Sequence, residues 1–194
     1  MKKVLCLLGS PRKKGNSADM ARVFCDAARQ AGAEVESVHL NGLEARGCQA
    51  CYGCKRNSET CVLEDGLTPV LESVRACDVL VLATPVYFGE VSAQLKTFID
   101  RTFSFLTPEY ARDKTKRSRL APGKTLVFLI AQGHPREDLF ADIYPRYQYF
   151  FTWFGFAATH LVRACGVYDP GDALAKPGLA EEIAALGRRV AAGA

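Results

Sequence analysis

The stretch CDVLVLATPVY, residues 77 to 87, is apolar nearly throughout, and it decides the fold class of this chain. A strand that is covered on one face only alternates apolar and polar residues, and this stretch hardly alternates at all. Continuous apolar runs are typical of parallel strands that are covered by helices on both faces. We therefore predict a buried parallel strand here, followed by a helix over residues 91 to 105.

The same alternation of strands and helices continues on both sides of this stretch. Short apolar segments predict four more strands, at residues 2–10, 33–40, 123–133 and 158–167. Periodic apolar positions predict four further helices. The first is expected to be capped by Asn16 or Ser17 and to continue to Ala31, and the others span residues 67–76, 138–154 and 178–193. We predict an α/β fold: a flavodoxin-like, doubly wound, five-stranded parallel sheet with strand order 2-1-3-4-5. A single domain would span residues 1–194, with a cysteine-rich insert at 47–61.

Composition excludes several classes of protein. The chain has 194 residues, a net charge of +4 and 48% hydrophobic residues, which suit a globular domain with a full core. We expect no nucleic-acid partner from so mild a charge, and no membrane association, because no apolar run approaches the length of a span. Without a signal-like start, we expect a cytoplasmic protein whose thiols stay reduced. One basic run, Arg112 to Arg119, is either a solvated loop or a binding patch for phosphate or an acidic redox partner.

The loop after the first strand, GSPRKKGNSADMA, is rich in groups that bind anions. It matches neither a dinucleotide fingerprint nor a Walker A loop. Side-chain donors are available from Ser10, Asn16 and Ser17, and Arg12 adds a guanidinium group that can form two parallel hydrogen bonds. The following helix adds free backbone N–H groups. The alternative is an ordinary capped helix. Because ligands in such sheets bind beyond the carboxyl ends of the strands, the position of this loop favours phosphate.

The loop after the third predicted strand, ATPVYFGEVS, is expected to hold a flat heteroaromatic ligand. Thr84 and Pro85 are predicted to stiffen a turn, and Gly89 lets a backbone approach closely. Tyr87 and Phe88 can offer ring faces for stacking. The alternative is that these rings belong to the core or to an interface, which is as good an account of Phe88.

These two loops resemble those of the NAD(P)H-dependent FMN reductase branch of the flavodoxin-like flavoproteins. The resemblance rests on GSPRKKGNS together with TPVYFGEVSAQLKTFIDR and covers at least Lys3 to Arg101. It implies a bound FMN and NAD(P)H as a co-substrate. The implied cofactor-binding residues are Ser10, Arg12, Asn16 and Ser17 for the phosphate, Thr84, Pro85, Val86, Tyr87, Phe88 and Gly89 for the ring, and Gln132, Gly133 and His134 as a third contact.

Four cysteines, Cys48, Cys51, Cys54 and Cys61, lie in the fifteen residues GCQACYGCKRNSETC. In the same family this pattern resembles the motif of the iron–sulfur flavoproteins, which implies a [4Fe–4S] cluster on four thiolates. Gly47 and Gly53 are expected to allow the tight bends. An all-cysteine zinc site, redox-active thiols and simple packing remain alternatives. The other four cysteines are expected to be packing residues.

The sequence therefore predicts an FMN-dependent oxidoreductase that moves electrons between a reduced donor, NAD(P)H or ferredoxin-like, and a small-molecule or protein acceptor. The flavin would carry the chemistry, so no catalytic side chain is assigned. The alternatives are a cluster-free NAD(P)H:flavin or quinone reductase and a non-enzymatic electron carrier. The aromatic segment YPRYQYFFTWFGF, residues 144–156, predicts a homodimer or homotetramer, because one monomer could hardly bury so many rings.

Overall fold

Five parallel strands form the centre of the computed structural model, which describes residues 1–193. A sixth strand of two residues pairs with the end of the third. The strands are β1 (Lys3–Leu8), β2 (Glu34–His39), β3 (Val79–Tyr87), β4 (Glu90–Val91), β5 (Lys124–Gln132) and β6 (Phe156–Cys165).

The parallel strands lie in the order β2-β1-β3-β5-β6. Without the short β4, this is the flavodoxin-like order 2-1-3-4-5, so the predicted fold is confirmed. The count of five strands was one too low. β4 pairs antiparallel with β3, with Val86 opposite Val91 and Tyr87 opposite Glu90, and it lies outside the path of the parallel sheet. Two residues are too few to give a pattern in sequence.

The helices connect successive strands and close the chain. They are α1 (Asn16–Gln30), α2 (Gly53–Arg56), α3 (Thr68–Ala76), α4 (Ala93–Arg101), α5 (Ile143–Trp153), α6 (Asp172–Ala175) and α7 (Leu179–Ala192). Among residues 1–193, none of these helices is long and apolar enough to cross a membrane.

Two apolar layers cover the two faces of the sheet. Val4 and Cys6 of β1 belong to the layer that contains residues of α1 and α7. Leu5 and Leu7 belong to the opposite layer, which contains residues of α3, α4 and α5. Adjacent residues of a strand point to opposite faces, so β1 is apolar from Val4 to Leu8 because both of its faces are covered.

Two predicted helices begin later than expected, for local reasons. The helix expected from residue 138 starts at Ile143. Extending it upstream would bring the Pro145 ring against the carbonyl of Ala141, whereas proline is tolerated in a first turn. The helix expected over 91–105 starts at Ala93, after Ser92, whose hydroxyl accepts a hydrogen bond from the backbone N–H of Leu95, and it ends at Arg101. Residues 102–105 continue as a single 3₁₀ turn.

Candidate functional site

A cavity of about 280 Å³ lies at the carboxyl ends of the parallel strands, where a doubly wound sheet binds its ligand. The loops after β1, β3, β5 and β6 meet there. Eight of the thirteen predicted cofactor residues line this cavity: Ser10, Arg12, Asn16, Ser17, Pro85, Val86, Tyr87 and Gly133.

The loop after β1 is pressed against the neighbouring strand. A Cβ atom on Gly9 would lie 2.9 Å from Ser92 Oγ and 3.2 Å from the carbonyl oxygen of Ala83, so only glycine fits. The Ser92 hydroxyl donates to the Gly9 carbonyl at 2.6 Å, and a ring nitrogen of His39 lies 2.9 Å from the Ser10 carbonyl oxygen. These contacts fix the loop that leads into α1. The first turn of α1, whose backbone N–H groups have no partner within the helix, therefore borders the cavity.

Asn16 does not cap α1, contrary to expectation. The helix begins at Asn16 itself after Gly15, and no side chain caps it. The Asn16 amide instead donates to the carbonyl of Asp169 and accepts from the backbone N–H of Ala173, both at 3.0 Å. Asn16 therefore joins the start of α1 to the loop after β6, a contact between positions 153 residues apart that no local pattern predicts.

The loop after β3 differs from the predicted turn. β3 continues through Thr84 and Pro85 to Tyr87, so these residues do not form a turn. Thr84 is fully buried, and its hydroxyl accepts from the backbone N–H of Ser92 at 3.0 Å, which places it behind the cavity. The turn lies at Phe88 and Gly89, with φ values of 48° and 75°, and joins β3 to β4 as a two-residue hairpin. Phe88 at its tip is fully exposed and does not line the cavity.

The loop after β5 contributes backbone to the cavity. Gln132 is buried and turned inward: its amide donates to the carbonyls of His134 and Arg136, and its oxygen accepts from Arg163. Gly133 lines the cavity, and a Cβ there would lie 2.8 Å from the Tyr168 ring. His134 is exposed, and its Nδ1 accepts from the backbone N–H of Arg136 at 3.2 Å.

Sequence reasoning missed the loop after β6. Val167, Tyr168 and Pro170 line the cavity together with Gly15 and Ala131. Tyr168 is largely exposed. An aromatic residue three positions after the last parallel strand is the signal that could have identified this loop, because that strand also ends at the ligand edge.

The four cysteines of the insert line a second cavity, of about 370 Å³. Cys54 is buried and Cys61 is half-buried, whereas Cys48 and Cys51 are exposed. Within residues 1–193, no three His, Cys, Asp or Glu side chains are arranged as a closed metal site. The four cysteines that the sequence groups together thus lie around one cavity, but their side chains do not converge as a complete ligand set.

The bends of this segment do not lie where expected. Gly47 and Gly53 have ordinary backbone angles, and the left-handed residues are Ala50, with φ of 51°, and Tyr52, with φ of 57°. Gly53 serves close packing: a Cβ there would lie 2.7 Å from a methyl group of Val62. Left-handed non-glycine residues cost free energy, so the surrounding contacts must hold this loop in shape.

Arg101, at the end of α4, is 1% exposed, and its guanidinium group contacts the cysteine segment. Its Nε donates to Cys61 Sγ at 3.1 Å, and its Nη atoms donate to Asp65 and to the carbonyls of Arg46 and Leu63. Burial by itself would lower the pKa of Arg101, but hydrogen bonding to Asp65 and the nearby Cys61 raise it above its ordinary value. Burial would also raise the pKa of Asp65, but hydrogen bonds from Arg101 and two backbone N–H groups hold it below its ordinary value. Both groups therefore stay charged.

Two further cations hold the segment from the side. Lys55 Nζ donates to the carbonyls of Phe103 at 2.5 Å and Leu106 at 2.8 Å, and lies 3.5 Å from Cys54 Sγ. Arg119 donates to the carbonyls of Cys54 at 2.8 Å and Ser104 at 2.9 Å.

The basic run Arg112 to Arg119 is only partly a solvated loop. Arg112, Lys114 and Lys116 are exposed. Arg117 lies over the Trp153 ring at 4.1 Å, and Arg119 holds the cysteine segment. The description as a solvated loop was therefore wrong for the last part of the run, because these two guanidinium groups find partners that are distant in sequence.

Comparison with known proteins agrees with this geometry. The sequence profile of the NADPH-dependent FMN reductase family matches residues 2–144, which is most of the chain and includes the loops after β1, β3 and β5. The chain belongs to this family. The resemblance identified from the two loops is therefore confirmed.

Several curated proteins that are similar to this chain carry the name iron–sulfur flavoprotein. One from Archaeoglobus fulgidus is 34% identical over 135 residues, 70% of this chain and 58% of that protein. One from Methanosarcina thermophila is 31% identical over 121 residues, 62% of this chain and 63% of that protein. The chain thus spans less than two thirds of the length of these relatives.

Solved structures share the fold over nearly the whole chain. An FMN-dependent NADH-azoreductase from Bacillus anthracis, solved with FMN, has a TM-score of 0.75 at 16% identity, with 98% of this chain and 100% of that chain covered. An NAD(P)H:quinone oxidoreductase from Methanothermobacter marburgensis has a TM-score of 0.70 at 19% identity, with 98% and 97% covered. At such identities the likeness concerns the fold.

Proposed function

We propose that this protein is an FMN-dependent oxidoreductase that takes electrons from NAD(P)H or a ferredoxin-like donor and passes them to a small-molecule or protein acceptor. The observation that carries this proposal is the cavity at the switch point of the sheet. Donors of the first loop and the start of α1 line one side of it, and the end of β3 lines another. A polar anion site beside an apolar, partly aromatic wall matches the phosphate and the ring of a flavin mononucleotide.

In this proposal each loop has a separate task. Arg12, Ser10 and Ser17 bind the phosphate, and Asn16 contributes its backbone N–H while its amide holds the loop after β6 in place. Pro85 to Tyr87 support the ring, with Gly133 opposite and Tyr168 limiting the access of water. When bound, FMN supplies hydride and single-electron transfer. Thr84, Gln132 and the Phe88–Gly89 hairpin shape these loops from outside the cavity.

The cysteine cavity fits a [4Fe–4S] cluster in the chemistry of its donors. All four cysteines line one cavity, and the sulfurs of Cys54 and Cys61 accept hydrogen bonds from cations. Such donors offset the negative charge of a four-thiolate cluster. Cys48 and Cys51, which are exposed, would supply the other two thiolates. When bound, the cluster supplies one-electron transfer.

One measurement tests the whole proposal. Protein purified without oxygen should show flavin and iron–sulfur absorbance together, and NAD(P)H or dithionite should bleach the flavin band. Flavin without iron or acid-labile sulfide would leave the cluster-free NAD(P)H:flavin or quinone reductase. Flavin that is reduced by dithionite, but by neither NADH nor NADPH, would favour an electron carrier that receives its electrons from another protein. Protein that binds neither flavin nor iron would refute the proposal.

We further propose that the exposed face of α5 joins two copies of the chain into a homodimer or homotetramer. Tyr149 and Phe150 are 58% and 50% exposed, and both pack edge-on against Trp153. The rest of the aromatic segment is more buried than the sequence suggested, since Tyr147, Phe151 and Phe154 belong to the core.

Replacing Tyr149 and Phe150 together by serine is therefore expected to shift the protein toward monomer. The interface loses two exposed apolar rings, while the buried rings of the core stay in place. Light scattering coupled to gel filtration measures the mass. Leu161→Ser, an exposed apolar residue on β6, is the control and should leave the mass unchanged. A wild-type protein that is already monomeric would refute this proposal.

A further inference from the structure

The four cysteines of the second cavity differ in their electrostatic surroundings. Cys54 lies beside Lys55 Nζ and Cys61 beside Arg101 Nε, whereas Cys48 and Cys51 are exposed and have no such partner among the described hydrogen bonds. The two inner sulfurs therefore face fixed positive charge, and the two outer sulfurs face solvent.

Both cations are held firmly where they are. Arg101 is buried, and it uses its three nitrogen atoms to contact Cys61, Asp65 and the carbonyls on either side of the cysteine segment, at Arg46 and Leu63. Asp65 completes this unit by accepting from the backbone N–H groups of Arg46 and Leu67. The start and the end of the segment are thus joined through a single guanidinium group.

Lys55 is held in a similar way on the other side. Its ammonium group donates to two carbonyl oxygens and lies 4.0 Å from the centre of the Phe103 ring. Tyr52 and Tyr110 pack edge-on against the same ring, which limits its movement. A charge that cannot move away from a sulfur acts on that sulfur in every redox state of the site.

We propose that Lys55 and Arg101 are positioning residues that preset Cys54 and Cys61 for the cluster and raise its reduction potential. This inference rests on the proposed function, because it needs the cluster. A [4Fe–4S] cluster gains one negative charge when it accepts one electron, so fixed cations and hydrogen bonds at its sulfurs stabilise the reduced form more than the oxidised form. Among the described residues, no cation donates a hydrogen bond to Cys48 or Cys51, so the inner pair should dominate the effect.

The first test is Lys55→Gln. The potential of the cluster is measured by a mediated titration with dithionite, followed by electron paramagnetic resonance. We expect the cluster of Lys55→Gln to have a more negative potential than that of the wild type. Lys55→Arg, which keeps the positive charge, should have a potential close to the wild-type value. Lys2→Gln, which removes the same charge at the start of β1, is the matched control and should leave the potential unchanged.

The second test addresses Arg101 without leaving a buried carboxylate unpaired. The double variant Asp65→Asn/Arg101→Gln removes both charges at once. We expect a more negative potential and a loss of iron that exceeds any loss of FMN, because the ends of the segment are no longer joined. Bound FMN reports that the sheet is folded.

The outcomes separate this inference from the proposed function. A wild type without iron after anaerobic reconstitution would refute the cluster, and this inference with it. A wild type with iron, together with Lys55→Gln and the double variant at the wild-type potential and iron content, would refute this inference alone. Loss of iron in Lys55→Gln, with iron retained in Lys55→Arg and Lys2→Gln, would support the positioning role.

Discussion

Replacing any one of Cys48, Cys51, Cys54 and Cys61 by serine is expected to remove most of the iron and acid-labile sulfide while FMN stays bound. A [4Fe–4S] cluster uses four thiolates, and the chain offers four cysteines around one cavity, so each variant leaves one cluster iron without its thiolate. The FMN cavity is lined by none of these cysteines, so the flavin should remain. Iron, sulfide and flavin are measured on the same anaerobic preparation.

The matched control for these variants is Cys77→Ser. Cys77 is buried beside the sheet, and its thiol donates to the Val74 carbonyl, a bond that serine can keep. Burial raises the pKa of this thiol to about 11, as expected for a packing residue that does not need to be a thiolate. Iron at the wild-type level in the control and in all four variants of the insert cysteines would contradict the cluster assignment. Equal loss of iron in the control and in these variants would indicate damage to folding.

The double variant Arg12→Ala/Ser17→Ala is expected to weaken FMN binding sharply. A hydrogen bond to a charged group contributes roughly 1.5–3 kcal/mol, so the loss of two should cost about 3–6 kcal/mol, or ~10²- to 10⁴-fold in Kd. Ser17 is 3% exposed and lines the cavity at the start of α1, whereas Arg12 reaches it from the exposed part of the loop. Quenching of flavin fluorescence on binding measures the affinity.

Riboflavin separates a phosphate site from a general disturbance of the cavity. Because it lacks the phosphate, its affinity should be nearly the same in the wild type and the double variant. Lys13→Ala removes a positive charge from the same loop without touching the cavity, and it should change FMN binding little. An unchanged FMN affinity in the double variant would remove the phosphate site from the proposed function. Equal losses for FMN and riboflavin would show that the loop had collapsed.

Much of the fold follows from local pattern. The apolar runs of β1, β3 and β5 predict strands that are buried on both faces, and strand–helix alternation allows few topologies other than the one observed. In such sheets, ligands bind beyond the carboxyl ends of the strands, which directs attention to the ends of β1 and β3, where the cavity lies. The boundaries of α4 and α5 were less accurate, because Ser92 and Pro145 act over only one turn, and a pattern averaged over ten residues does not resolve such effects.

What the sequence alone determined is which loops and which thiols meet: the loop of Ser10 to Ser17, the segment at Pro85 to Tyr87, and the four cysteines. What only the tertiary structure decided is how each side chain is used. Asn16, predicted as a helix cap, instead binds the loop after β6. Arg119, predicted as a solvated charge, instead donates a hydrogen bond to the Cys54 carbonyl. Arg101, which no motif marked as functional, became the contact between Cys61 and Asp65. The physical reason is that backbone periodicity is a local property, whereas a buried polar group takes whichever partner the packed chain brings within hydrogen-bond distance.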